Sequence, residues 1–269
     1  MSVVTYEISQ GIATLTLNRP ASLNALTIED YTALSEALKE IDNRDDVVAT
    51  VLQANGRWFS AGTDVTMAIN GSEDEPSTQR EYFMRRVAPF NTEVGYALSS
   101  HSKLLIAALN GPVMGITAAF LGHFDFIYCL PNAWLCVPFS FLGIIAEGGS
   151  SVNFVERMGV ATAKEALIFG KKLDSQRLLQ CGFVNKIFPE QSVESFHSAV
   201  RSHVLSELDG LVPGAVLGVK KLLKAASAER NNPEGANLRE SMAQAGRFAT
   251  GVPSERFAQI AKKEIKHKL

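Results

Sequence analysis

Three apolar, β-branched runs near the N-terminus, Val3–Ile8, Ile12–Leu17 and Val47–Leu52, limit the fold more than any other feature of the chain. Ser9-Gln10-Gly11 between the first two predicts a hairpin. After the second, Asn18-Arg19-Pro20 breaks regular structure. Thr27 then caps a helix whose apolar positions Tyr31, Leu34, Leu38 and Ile41 recur at spacings of three and four. Strand, helix and strand in that order predict a βαβ unit with parallel pairing, and so an α/β fold. The theme repeats in strand-like Leu104–Leu109, Phe124–Leu130 and Trp134–Val137, with a helix over Ile116–Gly122. Glu81–Leu98 has helical spacing, and the polar stretch Met67–Arg80 before it reads as a mobile loop.

Beyond Ser150 the pattern turns helical, with Val152–Met158 ahead of Gly159, Thr162–Phe169 ahead of Gly170, and Ser175–Gln180. Phe183–Phe188 is the last expected strand. Three or four helices then fill Glu190–Leu269, punctuated by Pro213, Pro233 and Pro253. A β-rich core over residues 1–200 and a helical region over 201–269 follow from that change.

Composition serves mainly to exclude. A net charge of −2 gives no electrostatic case for nucleic acid or an anionic membrane as partner. Asn110-Gly111-Pro112 interrupts the most apolar segment, Leu104–Leu121, which argues against a membrane span. Cys129, Cys136 and Cys181 form no CxxC pair, and His101, His123, His197 and His203 show no metal spacing. The N-terminus lacks the basic and apolar pattern of a secretory signal, so Asn70-Gly71-Ser72 is set aside as a glycosylation sequon.

Two strand ends carry small residues. Gly56-Arg57-Trp58-Phe59-Ser60-Ala61-Gly62-Thr63-Asp64 follows the third strand, and Asn110-Gly111-Pro112-Val113-Met114-Gly115 follows Leu104–Leu109. Ligands favour such positions in α/β sheets, and an anionic oxygen fits the helix N-terminus that comes next. Leu142–Ser151, Leu-Gly-Ile-Ile-Ala-Glu-Gly-Gly-Ser-Ser, then sets one carboxylate, Glu147, between an apolar run and a glycine pair. Ser150 or Ser151 is expected to cap the following helix. Taken alone, this glutamate reads as a surface loop residue. Lost hydration among Phe139, Phe141, Leu142, Ile144 and Ile145 would instead raise its pKa toward that of a general base.

Asn18-Arg19-Pro20 with Asn24-Ala25-Leu26, Phe59–Asp64, Asn110–Thr117 and Cys181-Gly182-Phe183-Val184-Asn185-Lys186-Ile187 together resemble the motifs of the crotonase, or enoyl-CoA hydratase/isomerase, superfamily over nearly the whole chain. The resemblance implies a crotonase-like spiral of ββα turns, a C-terminal helical region supporting a homotrimer or dimer of trimers, and an acyl-CoA thioester as substrate. By this comparison the N–H groups of Ala61 and Ile116 form an oxyanion hole. Ser60, Ala61, Gly62, Thr63, Asp64 and Val65 line the path of the CoA and acyl groups.

Family hydratases use two carboxylates, and at the matching positions this chain carries Ala119 and Phe139. Glu147 is left as the catalytic acid-base, in a loop that resembles that of the peroxisomal Δ3-Δ2-enoyl-CoA isomerases. One base on one face can carry a proton from C2 to C4, and no cofactor beyond the substrate's own CoA is implied. A thioester hydrolase or lyase on the same scaffold, and a non-catalytic acyl-CoA-binding member, stay open as alternatives. Asp64 is expected to hydrogen-bond behind the oxyanion loop. Lys220, Lys221 and Lys224 are expected on a solvated helix face, with CoA phosphates as the other reading. His267-Lys268-Leu269 resembles the Ser-Lys-Leu address, which implies a peroxisomal location, the import receptor as partner and an exposed tail.

Overall fold

The computed structural model describes residues 3–64 and 76–267. Most of the expected loop over Met67–Arg80, and Val65, lie outside the described residues. The hairpin is β1 (Val4–Ser9) and β2 (Ile12–Leu17), paired antiparallel. Helix α1 (Ile28–Asp42) begins at the expected cap, where Thr27 accepts from the Asp30 amide and Asp30 reciprocates. Then β3 (Ala49–Ala54), β4 (Leu104–Leu109) and β6 (Phe126–Cys129) add in parallel, and β9 (Lys186–Ile187) closes the edge of a six-stranded sheet.

After β4 and β6 the chain turns into a short strand of a second sheet, β5 (Val113–Met114) and β7 (Trp134–Cys136), with β8 (Leu173–Asp174) beyond them. A single bridge, Ser60 to Val113, continues that sheet from the loop after β3. Successive β-β-α turns wind the chain into a spiral, as the resemblance implies.

Alternation along the strands explains why both faces of the large sheet are covered. Leu15, Leu17, Leu52, Leu105, Ala107 and Leu109 point into the main core with α1. Ile12, Ala49, Val51, Ile106 and Ala108 point the other way, onto Phe196, Val200 and Val204.

The connection from β3 to β4 contains α2 (Gln79–Tyr82), a π-helical segment over Phe83–Thr92 with Pro89 inside it, and α3 (Glu93–Ser100). Helical spacing was the expectation over Glu81–Leu98. The proline, which lacks an amide hydrogen, lies in the wider-pitched segment. Further on come α4 (Gly115–Phe120), α5 (Phe139–Leu142), α6 (Ser150–Phe169) and α7 (Ser175–Gln180). Gly159, at φ 75° and ψ 160°, divides α6 at the expected glycine.

The last four described helices are α8 (Val193–Leu208), α9 (Pro213–Arg230), α10 (Pro233–Phe248) and α11 (Val252–Ala261), three of them with proline in the first turn. The boundary expected at residue 200 falls inside α8, because Val200 and Val204 cover the large sheet. Helix α10 packs along the π-helical segment. Among the described residues no helix is long and apolar enough to cross a membrane.

Candidate active site

The N-terminal signature holds the first strand-end loop in place. Asn24, fully buried at φ 53°, donates from Nδ2 to the carbonyls of Asn55 and Trp58 at 2.8 Å. Ser60 Oγ donates to the Asn24 carbonyl at 2.8 Å and accepts from the Gly62 amide at 3.1 Å. Ser60 is therefore a fully buried brace of this loop. Gly62 is likewise buried, at φ +87°, and a Cβ there would meet the Met114 carbonyl oxygen at 3.0 Å. The two strand ends come together at this glycine.

The assignment of Ala61 as a donor needs correction. Its N–H already donates to the Leu23 carbonyl at 2.9 Å. Two residues on, Leu26 donates to Gly62 and accepts from Asp64, both at 2.9 Å, so Thr63 sits between two bonded neighbours. In a parallel bridge the intervening residue turns its own N–H to the opposite side. Thr63, not Ala61, thus presents an amide on the side away from Leu26. Ile116 lies in the first turn of α4, where amides have no intrahelical acceptor. Thr63, Asp64, Ile116 and Glu147 line one cavity of about 560 Å³.

Glu147 is buried on that cavity wall. Gly148 and Gly149, at φ +67° and +78°, make the turn behind it, and a Cβ on Gly148 would strike the Phe120 ring. Asn91, from the π-helical segment, donates to Glu147 Oε2 at 3.2 Å and accepts from the Gly148 amide at 3.0 Å. Gln244, from α10, donates to the same Oε2 at 3.0 Å. Burial first, and the nearby Glu240 second, push the Glu147 carboxyl up to about 8, against the lowering effect of the Gln244 bond.

No serine caps α6. Its N-cap is Gly149, and Ser150 Oγ instead donates to the Glu147 carbonyl at 2.7 Å. Glu240 takes over the capping, accepting from the amides of Gly149 at 2.7 Å and Ser151 at 2.9 Å. The half-buried His123 ring donates from Nε2 to the Gly148 carbonyl at 2.8 Å. The carbonyl can only accept, so Nε2 carries the proton, and burial holds this histidine's pKa down at about 4.

With that geometry in view, the family model described as enoyl-CoA hydratase/isomerase matches residues 7–247. The chain belongs to that family. It is 38% identical to a Delta(3,5)-Delta(2,4)-dienoyl-CoA isomerase of Pyricularia oryzae over 99% of both chains. It is 34% identical to the 3,2-trans-enoyl-CoA isomerase of Saccharomyces cerevisiae, over 99% of this chain and 96% of that one. An enoyl-CoA hydratase/isomerase structure from Pseudoalteromonas atlantica superposes with a TM-score of 0.82 at 26% identity, covering 99% of this chain and 100% of that one. Both of these curated relatives are isomerases, and this family member is an enzyme of that class.

Of the residues singled out in the sequence, Ala61, Thr63, Asp64, Ile116 and Glu147 line the cavity, with Ser60 and Gly62 behind it. Ala119 and Phe139 are buried and carry no proton-transfer group. Lys220 is not on a solvated face, since its Nζ donates to the Lys103 carbonyl at 2.6 Å and to Asp125 at 2.7 Å. Asn91, His123, Glu240 and Gln244 went unrecognised in the sequence. Each stands far from Glu147 along the chain, in an element whose pattern says only that it is helical or buried.

Proposed function

We propose that this enzyme is a Δ3-Δ2-enoyl-CoA isomerase acting on 3-enoyl-CoA thioesters. One observation carries the reading: the buried carboxylate Glu147, with its proton affinity raised to near neutrality, shares an apolar cavity with the Thr63 and Ile116 amides. Ionised Glu147 takes a proton from C2 of the substrate, and the C2–H electron pair moves into the thioester carbonyl. The negative charge on that oxygen is held by the two main-chain N–H groups. The dienolate then collapses, C2=C3 forms as C3=C4 opens, and Glu147 returns its proton to C4. No water is consumed and no cofactor enters the balance.

Other features support an acyl-CoA substrate. Ile28, Phe90, Phe139, Phe141, Leu142 and Ile144 give the cavity an apolar wall suited to a fatty chain. Arg86, Lys263 and Lys266 bring positive charge to the same cavity, complementary to CoA phosphates. Leu211, Val212, Val219, Leu222 and Leu223, on and just before α9, are exposed in the single chain. Such a surface suits the proposed trimer.

A peroxisomal location rests on the C-terminal tripeptide. The tail is less exposed than expected, since His267 is half-buried with its ring 5.0 Å from that of Phe141, and Lys268 and Leu269 lie outside the described residues.

Similarity to the Pyricularia dienoyl-CoA isomerase favours a second reading, a Δ3,5-Δ2,4 shift. That shift moves a proton as far as C6, a span better served by two acids. Among the described residues Asp64 is the other carboxylate on the cavity. Incubation with 3-enoyl-CoA and, separately, with 3,5-dienoyl-CoA decides between them. Faster formation of 2-enoyl-CoA is expected. Preference for the dienoyl substrate would select the second reading, free CoA release a hydrolase, and binding without turnover a non-catalytic role.

A further inference from the structure

We propose that Gln244, in the C-terminal helical region, is a positioning residue for proton transfer that holds Glu147 by Oε2 and leaves Oε1 to carry the proton. This inference rests on the single-glutamate reading above, and it brings into the chemistry a helix assigned from sequence to assembly alone.

Gln244 is 1% exposed and both ends of its amide are engaged. Its Oε1 accepts from the Ile145 main-chain N–H at 3.1 Å, and its Nε2 donates to Glu147 Oε2 at 3.0 Å. The Ile145 amide can only donate, so the oxygen must face it and the NH2 group must face the carboxylate. Asn91 repeats the arrangement from the other side, accepting from Gly148 and donating to the same Oε2. Two donors converge on one oxygen from opposite walls. The oxygens become inequivalent: Oε2 takes both bonds, which leaves Oε1 for the substrate proton.

Each bond to Oε2 stabilises the ionised form and offsets part of the burial that opposes it. Glu240, on the same helix as Gln244, is the charged group that works the other way. On the α1 wall stands Tyr31, kept neutral by burial, and Asp64 lies along the cavity. Removing the Gln244 donor therefore makes Glu147 harder to ionise. Gln244 stands in the cavity wall, but it is 1% exposed and its amide is engaged at both ends, so KM should be insensitive to its loss.

Gln244→Met and Gln244→Glu separate this role from simple support of the loop. Methionine deletes both the donor to Glu147 and the acceptor for Ile145, whereas glutamate keeps the acceptor and sets a second carboxyl against Glu147. With methionine the acid limb of the kcat/KM profile should move upward by about one unit. At neutral pH its kcat should fall about tenfold while KM changes by less than about twofold. With glutamate the two carboxyls share one proton, so two apparent pKa values spread apart should replace the single wild-type limb. A Gln244→Met enzyme that melts earlier yet keeps the wild-type limb and kcat would overturn the proposal, because Gln244 would then only support the loop. Should wild type fail to turn over 3-enoyl-CoA, the Glu147 carboxyl band can still be titrated by infrared difference against each variant's Glu147→Gln partner. An unchanged midpoint there sinks the positioning role whatever reaction the enzyme performs, and an upward shift sustains it.

Discussion

The two halves of the site are held in different ways. The Thr63 and Ile116 side is main chain throughout, positioned by neighbouring strand ends, by the Asn24 and Ser60 braces, and by the close approach at Gly62. The Glu147 side is a glycine turn with little hold on itself, fixed by side chains from the π-helical segment, from α10 and from His123. A backbone donor can be misread by two residues, as at Ala61 and Thr63, without losing the site. The carboxylate side has no such tolerance, because each support comes from a different stretch of chain.

The largest effect should follow Glu147→Gln, which keeps an acceptor for Asn91 and Gln244 but cannot take a proton. Its kcat should drop by about 10⁴-fold with binding of acyl-CoA retained, as read by single-turnover assay and calorimetry. Turnover within tenfold of wild type would show that another group is the base.

Next comes Ile116→Pro, which deletes one main-chain donor in a first turn that accepts proline. A loss of about 10²–10³ in kcat is expected beyond that of Ile116→Ala, which gives up the same buried side chain but keeps the amide. Equal losses of kcat and of stability would mean that this half, too, is chiefly structural.

The smallest effect is on stability. Glu147 has a folded pKa of about 8 against an ordinary value of 4.5, so the native state binds the extra proton between those limits. Stability is then highest below the unfolded value and declines as pH rises toward 8. Wild type should lose melting temperature between pH 5 and 8 more steeply than Glu147→Gln, as followed by circular dichroism. Parallel slopes would mean the carboxyl is hydrated in the folded protein.

What could be read in the sequence was whatever depends on near neighbours. The hairpin at Gln10-Gly11, the Thr27 cap, the proline-started helices and the division of α6 at Gly159 are set within a few residues. The apolar run and glycine pair around Glu147 left it readable either as a surface loop residue or as a carboxylate losing its hydration, and only the fold shows it buried. Short β5 and β8 were less legible, and the strand expected over Phe183–Phe188 shrinks to Lys186–Ile187, because two-residue strands owe their conformation to the partner they meet.

By itself, then, the chain determined the βαβ units, the two small-residue strand ends and the helical C-terminal region, since local periodicity and backbone stereochemistry act without reference to distant residues. The spiral and the choice of Glu147 came from the resemblance of its motifs to the family. Tertiary structure alone decided which amide remains unpaired, that Glu240 rather than a serine caps α6, and that Asn91 and Gln244 meet at one carboxylate oxygen. Those outcomes depend on which buried polar group finds a partner across the fold. A buried donor or acceptor is costly to leave unmatched, so packing settles the pairing.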